Sequence, residues 1–212
     1  MSVIFFDIGA TLADPHPESD GSLTLRPLPR VLSTLDSLSG VRMGVISNPG
    51  SIEAAVARAL AEAFPGRFTD ASLVNWGVKD SRGIFDRAVA GTGGTAAGDC
   101  VFVGEDAQER GFAREAGMRT AAHPVFALAA TENRSVLRAR IELRDGQDPG
   151  SLTEAMDETE AVPVEVVSER LVLAAVTARG VEALEHAGFS VDVRGPAEDT
   201  VASAARRAAS AE

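Results

Sequence analysis

At 212 residues, 45% of them hydrophobic, the chain has room for one large domain or for a medium and a small one. Its net charge of −11 argues against a nucleic-acid partner, which needs Lys and Arg to neutralise phosphates. No apolar run approaches the ~18 residues of a membrane span, the lone Cys100 excludes an intrachain disulfide, and the first residues carry no basic and apolar signal region, so a cytoplasmic location is expected.

Val3-Ile4-Phe5-Phe6 reads as a buried parallel strand, apolar on both faces, with Asp7 at its end. Open α/β sheets bind ligands beyond the carboxyl ends of such strands, which makes Asp7 the first candidate site residue. Gly9-Ala10-Thr11 allows a sharp turn, and the Thr11 hydroxyl is suited to bonding the turn or an anion. Residues 13–29 hold four prolines and a polar cluster, which points to a loop or short flap. His16 lies within it, between two prolines. A helix is expected over 30–38, stopped by Gly40, then a strand over 41–46 ending in Ser47-Asn48. A second helix follows, with Ile52, Ala55, Val56, Ala59, Leu60 and Ala63 on one face.

A short third strand is expected over 68–74, with Lys79 in the loop before a helix over 81–90. Residues 91–98 form a glycine-rich turn without the Gly-Lys-Ser/Thr ending of a phosphate loop. Cys100-Val101-Phe102-Val103 reads as a fourth buried strand, with Cys100 a small core residue. Glu105, Asp106 and Glu109 cluster after it, where acids serve either as ligands or as helix caps. A helix then runs to Gly117, and 120–122 is the last strand of the sheet.

The pattern changes beyond this point. Residues 136–143 alternate as a half-exposed strand should, and the elements that follow read β-α-β-β-α-β, the ferredoxin-like arrangement. The expected fold is therefore α/β: a Rossmann-like doubly wound core over 1–130, a small α+β module over 133–195, and a tail over 196–212 that is weakly helical or disordered.

Four features fall at strand ends: Asp-x-x-x-Thr-Leu from Asp7, Ile-Ser-Asn around Ser47, Lys79 ahead of Gly-Ile-Phe, and Val-Phe-Val-Gly-Glu-Asp followed by Ala-Gly-Met-Arg-Thr. Together, and in this order, they resemble the haloacid dehalogenase-like (HAD) hydrolase superfamily over residues 3–122. The resemblance implies that Asp7 forms an aspartyl-phosphate and that Ser47, with Asn48 and Thr11 nearby, and Lys79 bind the phosphoryl group. It also implies that Mg²⁺ is held by Asp7, the Gly9 carbonyl and either Glu105 or Asp106. Phosphatases of the family usually carry a second Asp, as general acid, where this chain has Gly9, and Arg110 stands at a place often acidic. That leaves substrates with good leaving groups, or acid help from elsewhere, for which His16 is a candidate. Neither place where the family inserts cap domains is long enough for a large one, so an open, minimal-cap site is expected. The implied partner is a small phosphorylated molecule or a phosphoprotein, with a homodimer as a further expectation. The competing readings are a non-catalytic binding or regulatory protein of the same fold and a 2-haloacid dehalogenase.

Overall fold

A computed structural model describes residues 2–19 and 22–197. The tail expected over 196–212 lies outside the described residues from 198 onward. The chain divides into two compact units, one ending at Ala127 and the other beginning at Leu128. Among the described residues no helix is long and apolar enough to cross a membrane.

The first unit is built on a five-stranded parallel sheet. Its strands are β1 (Val3–Phe6), β4 (Arg42–Ser47), β5 (Val74–Trp76), β6 (Cys100–Val103) and β7 (Arg119–Ala121). They are ordered β5-β4-β1-β6-β7, the doubly wound pattern, with β1 at the centre and the strand order reversing beside it. A central strand has helices on both faces and neighbours on both edges, so every side chain of β1 must be apolar; all four are fully buried. On one face Phe5, Ile84, Phe85, Ala88 and Phe102 form the core, with the Phe85 and Phe102 rings edge to face at 4.9 Å between centroids. Burying each such ring contributes about 1.5–3 kcal/mol.

The proline-rich stretch after Leu12 is a β-hairpin, β2 (Ala13–Pro17) paired with β3 (Leu23–Pro27). Every strand of a two-stranded ribbon is an edge, so prolines without a donor N–H are tolerated there. The helices are α1 (Val31–Ser37), α2 (Glu53–Ala63), α3 (Gly83–Gly91) and α4 (Ala107–Glu115). Two expectations shift. The third strand is not 68–74 but Val74–Trp76, because Asp70 accepts from the Ser72 amide and closes a 3₁₀ turn over Ala71–Leu73. Phe68, half-buried and outside any strand, meets Phe6 and Phe64 edge to face. Ile52, placed by its spacing on the buried face of α2, is 51% exposed, because the helix proper begins only at Glu53.

The short helix α5 (Ala127–Thr131) stands at the division between the units. The second unit contains β8 (Val136–Glu142), α6 (Pro149–Asp157), β9 (Ala161–Ser168), β10 (Leu171–Thr177), α7 (Ala178–His186) and β11 (Ser190–Pro196). The four strands form an antiparallel sheet ordered β11-β8-β10-β9. Ile141, Leu152, Met156, Val172, Leu184 and Phe189 fill its core. The Thr177 hydroxyl caps α7 by accepting from the Gly180 amide at 3.2 Å.

Candidate active site

The carboxyl ends of β1, β4 and β6 and the loop after β5 carry the polar side chains that this sheet buries. Asp7 follows β1 directly, and its backbone N–H donates to the Val103 carbonyl at 2.9 Å, so the neighbouring strand fixes it in place. The chain then turns tightly. The Ile8 carbonyl accepts from the amides of Thr11, Leu12 and Ala13, and Ala10 takes a left-handed φ of 49° to make this possible, a conformation that costs an L-residue about 1–2 kcal/mol. Strain of this kind is stored where a loop must be held in one shape.

Lys79 is not a solvated surface lysine. Its side chain is 4% exposed, and its ammonium lies 2.6 Å from Asp7 Oδ1 and 2.8 Å from Glu109 Oε2. The charge also sits 5.7 Å from the Phe102 ring centroid, within range of a cation–π attraction. A buried ammonium needs such partners, since desolvation alone would favour its neutral form.

Thr11, 2% exposed, ties the Asp7 loop to the acid loop after β6. Its hydroxyl donates to Glu105 Oε2 at 3.0 Å and accepts from the Glu105 amide at 3.3 Å. Between β6 and that loop stands Gly104, where a Cβ would meet the Phe102 ring at 2.8 Å and lie 3.7 Å from the Asp7 Cβ. Only glycine fits there without moving the ring. The buried Arg110 of α4 donates to the Gly104 carbonyl at 2.8 Å, holding the loop from beneath.

Asp106 is the N-cap of α4: its Oδ1 accepts from the amides of Gln108 at 2.7 Å and Glu109 at 3.0 Å. Of the two acids left open by the sequence, Glu105 is therefore the one that faces the Asp7 loop. Ser47, buried at the end of β4, accepts at its carbonyl from the Gly77 amide at 3.0 Å. This bond anchors the loop that carries Lys79. Asn48 is exposed and its Oδ1 accepts from the Gly50 amide at 3.2 Å, a local turn. His16 is exposed on β2, opposite Thr24. Cys100 is buried in β6, where burial pushes its thiol up to about 11, so it is inert.

The side chain that sequence reasoning underweighted is Glu109. Only its four-residue spacing from Glu105 hinted at a shared site; Glu105 lies in the loop before the cap of α4 and Glu109 in its first turn. Burial pushes the Glu109 carboxyl up to about 7 despite the opposing pull of Lys79. Burial, and next the charge of Asp7, also raises Glu105. The site is thus rich in carboxylates and short of positive charge.

Among the described residues, no three His, Cys, Asp or Glu side chains gather into a full metal cage. Mg²⁺ does not require one, because it takes one or two carboxylates with carbonyl and water oxygens. Asp7 and Glu105 are hard oxygen donors, close enough for the charge of one to raise the other, and so fit such an ion.

No protein-family model matches the sequence, and a comparison with characterised proteins gives no match. Solved structures give distant likenesses. One is the cobalt-bound form of a deoxy-D-mannose-octulosonate 8-phosphate phosphatase from Haemophilus influenzae, 17% identical, with 61% of this chain and 74% of that one covered and a TM-score of 0.43. Another is a hypothetical protein from Xanthomonas campestris, 20% identical, with 60% and 68% covered and a TM-score of 0.40. At that distance neither likeness says what this chain binds or does.

Proposed function

We propose that the first unit is a phosphatase-like hydrolase of the HAD type that works through an aspartyl-phosphate on Asp7. The observation that carries this reading is the buried Asp7 carboxylate paired at 2.6 Å with the buried Lys79 ammonium beyond the carboxyl ends of a doubly wound sheet. Lys79 holds one Asp7 oxygen, which leaves the other to attack phosphorus. The Lys79 charge also draws in the phosphoryl oxygens and stabilises the charge that they gather in the transition state. Ser47, buried at the end of β4, would donate its hydroxyl to a phosphoryl oxygen. Thr11 keeps the Asp7 loop and Glu105 in register. Asp7, the Gly9 carbonyl and Glu105 would hold Mg²⁺, which when bound would screen the incoming phosphate from the carboxylates.

In this reading the site has a minimal cap, with the β2–β3 hairpin as flap, and takes a small phosphorylated molecule or a phosphoprotein. The second unit is read as a ferredoxin-like module, which its strand order supports, serving specificity or homodimer formation. An aryl phosphate assay with Mg²⁺ tests the core of the proposal, since an aryl leaving group barely needs acid help. Turnover should fall to background in Asp7→Asn; equal rates in the two proteins would end the phosphatase reading.

A second reading, a binding or regulatory protein without turnover, is favoured by Gly9, which cannot donate a proton. Calorimetry separates the two: a catalytic site binds Mg²⁺ and loses that binding in Asp7→Asn. Halide release from a 2-haloacid would favour the dehalogenase variant instead.

A further inference from the structure

Gly9 stands where an acid would be expected, yet nothing in the fold demands a glycine there. A Cβ built on Gly9 meets no atom within 4 Å, and its φ is outside the left-handed region that glycine alone adopts freely. The Cβ of an L-residue fits there. Among the described residues, most of the other polar groups of the site are engaged with one another. Lys79 is held between Asp7 and Glu109. The Thr11 proton goes to Glu105, and Asp106 acts as an acceptor for two helix amides. Glu109, the strongest rival donor, pairs its buried Oε2 with the Lys79 ammonium at 2.8 Å.

We infer that this site takes phosphoryl groups carried on a leaving group that departs as a stable anion, an acyl phosphate or a phosphoanhydride, rather than an alkyl phosphate monoester. The inference rests on the phosphoryl-transfer reading above and names its substrate class. In the first step an Asp7 oxygen bonds to phosphorus as the phosphorus–oxygen bond to the leaving group breaks. The electron pair departs with the carboxylate or phosphate, and no proton moves. In the second step water attacks the same phosphorus, the Asp7 carboxylate is released, and the proton of the water passes to solvent with the phosphate product. An alkyl monoester would have to expel an alkoxide in the first step. Without a donor, that step forgoes the factor of about 10²–10⁴ that general acid catalysis supplies.

The test compares kcat/KM for acetyl phosphate, pyrophosphate, a series of substituted phenyl phosphates and glycerol 2-phosphate. It uses the full chain with Mg²⁺, and Asp7→Asn sets the background. Acetyl phosphate or pyrophosphate should exceed glycerol 2-phosphate by about 10²-fold or more; which of the two is favoured tells an acyl from an anhydride carrier. The phenyl series should fall steeply as the leaving phenol becomes less acidic. Intact mass after rapid acid quench should show a phosphoenzyme with the preferred substrate and none in Asp7→Asn. Gly9→Asp should flatten the phenyl series and raise kcat on the alkyl ester by about 10-fold or more. The inference is overturned if the unmodified protein cleaves glycerol 2-phosphate within about 10-fold of acetyl phosphate. It is equally overturned if Glu109→Gln or His16→Gln selectively loses the alkyl ester, since that residue would then be the donor. A flat phenyl series with real turnover overturns this inference alone, whereas no turnover of any substrate above Asp7→Asn overturns the phosphoryl-transfer reading and this inference with it.

Discussion

Lys79 stands between the buried Asp7 carboxylate and the half-buried Glu109 carboxylate. Lys79→Met would leave Asp7 and Glu109 facing each other without compensation. Breaking a buried ion pair from one side costs about 3–5 kcal/mol, and the urea midpoint should fall accordingly. Lys79→Met with Glu109→Gln should recover part of that loss, because one uncompensated charge goes too; a purely additive double variant would show that the pair is not coupled. Glu109 carries its own pH signature. Its folded pKa is raised from the ordinary carboxylate value of 4.5 to about 7, so the folded protein holds this proton more tightly than the unfolded chain. The stability it contributes is fully present below about 4.5 and is lost as the pH rises through about 7; Glu105, also raised, has the same sign. Measured with a chelator present, unfolding free energy should decline across that window, and Glu109→Gln should flatten the decline. An unchanged slope in the variant would assign the effect to another group.

At the scale of elements, β4 and the 3₁₀ turn that leads into β5 lie closely enough that a single methyl would push them apart. A Cβ on Gly44 would meet the Leu73 carbonyl oxygen at 2.4 Å and the Leu73 Cβ at 2.7 Å. Backbone atoms cannot rotate away, so Gly44→Ala should cost about 1–3 kcal/mol and shift the strand that leads to Lys79. Gly9→Ala, with open space around its Cβ, should leave thermal unfolding nearly unchanged; equal losses in both would mean that crowding at Leu73 is not the cause. The same contrast explains what was legible in the sequence. β1 and β6 stand out because a strand buried on both faces is a continuous apolar run, and Asp7 and Glu105 follow from where those runs end. β5 is a short edge strand containing Asn75 and Trp76, so the apolar signal of Phe68 and Leu73 drew the expected strand upstream of its true position. The partnership of Lys79 with Glu109 was out of reach, because the two residues lie 30 positions apart and only the order of the strands in the sheet brings them together. Asp106 was readable only as one of two acids until the amides it caps were in place.

For the whole molecule, the division at Ala127 and Leu128 places every strand-end side chain in the first unit. Asp7, Thr11, Ser47, Lys79, Glu105 and Glu109 all precede it, and the aromatic core on Phe5, Phe85 and Phe102 is drawn from the same stretch. A unit of this size with its own sheet and core is expected to fold alone. Asn133, with a left-handed φ of 55°, ends the turn after α5 and is a natural place to stop the chain. The protein supplies its own probe for the outcome: it has one tryptophan and no tyrosine, and Trp76 lies in β5. Tryptophan emission and the near-ultraviolet circular dichroism of the indole band therefore report on the first unit alone. A chain ending at Asn133 should keep the emission maximum of the full protein, unfold in urea as one cooperative transition, and retain Mg²⁺ binding that Asp7→Asn abolishes. Turnover of an aryl phosphate should persist, since the groups that the proposed chemistry uses are all present, while selectivity among larger substrates should fall if the second unit contributes to recognition. Loss of the near-ultraviolet signal on truncation would show that the strands after residue 133 complete the first core, and the two units would then be one folding domain.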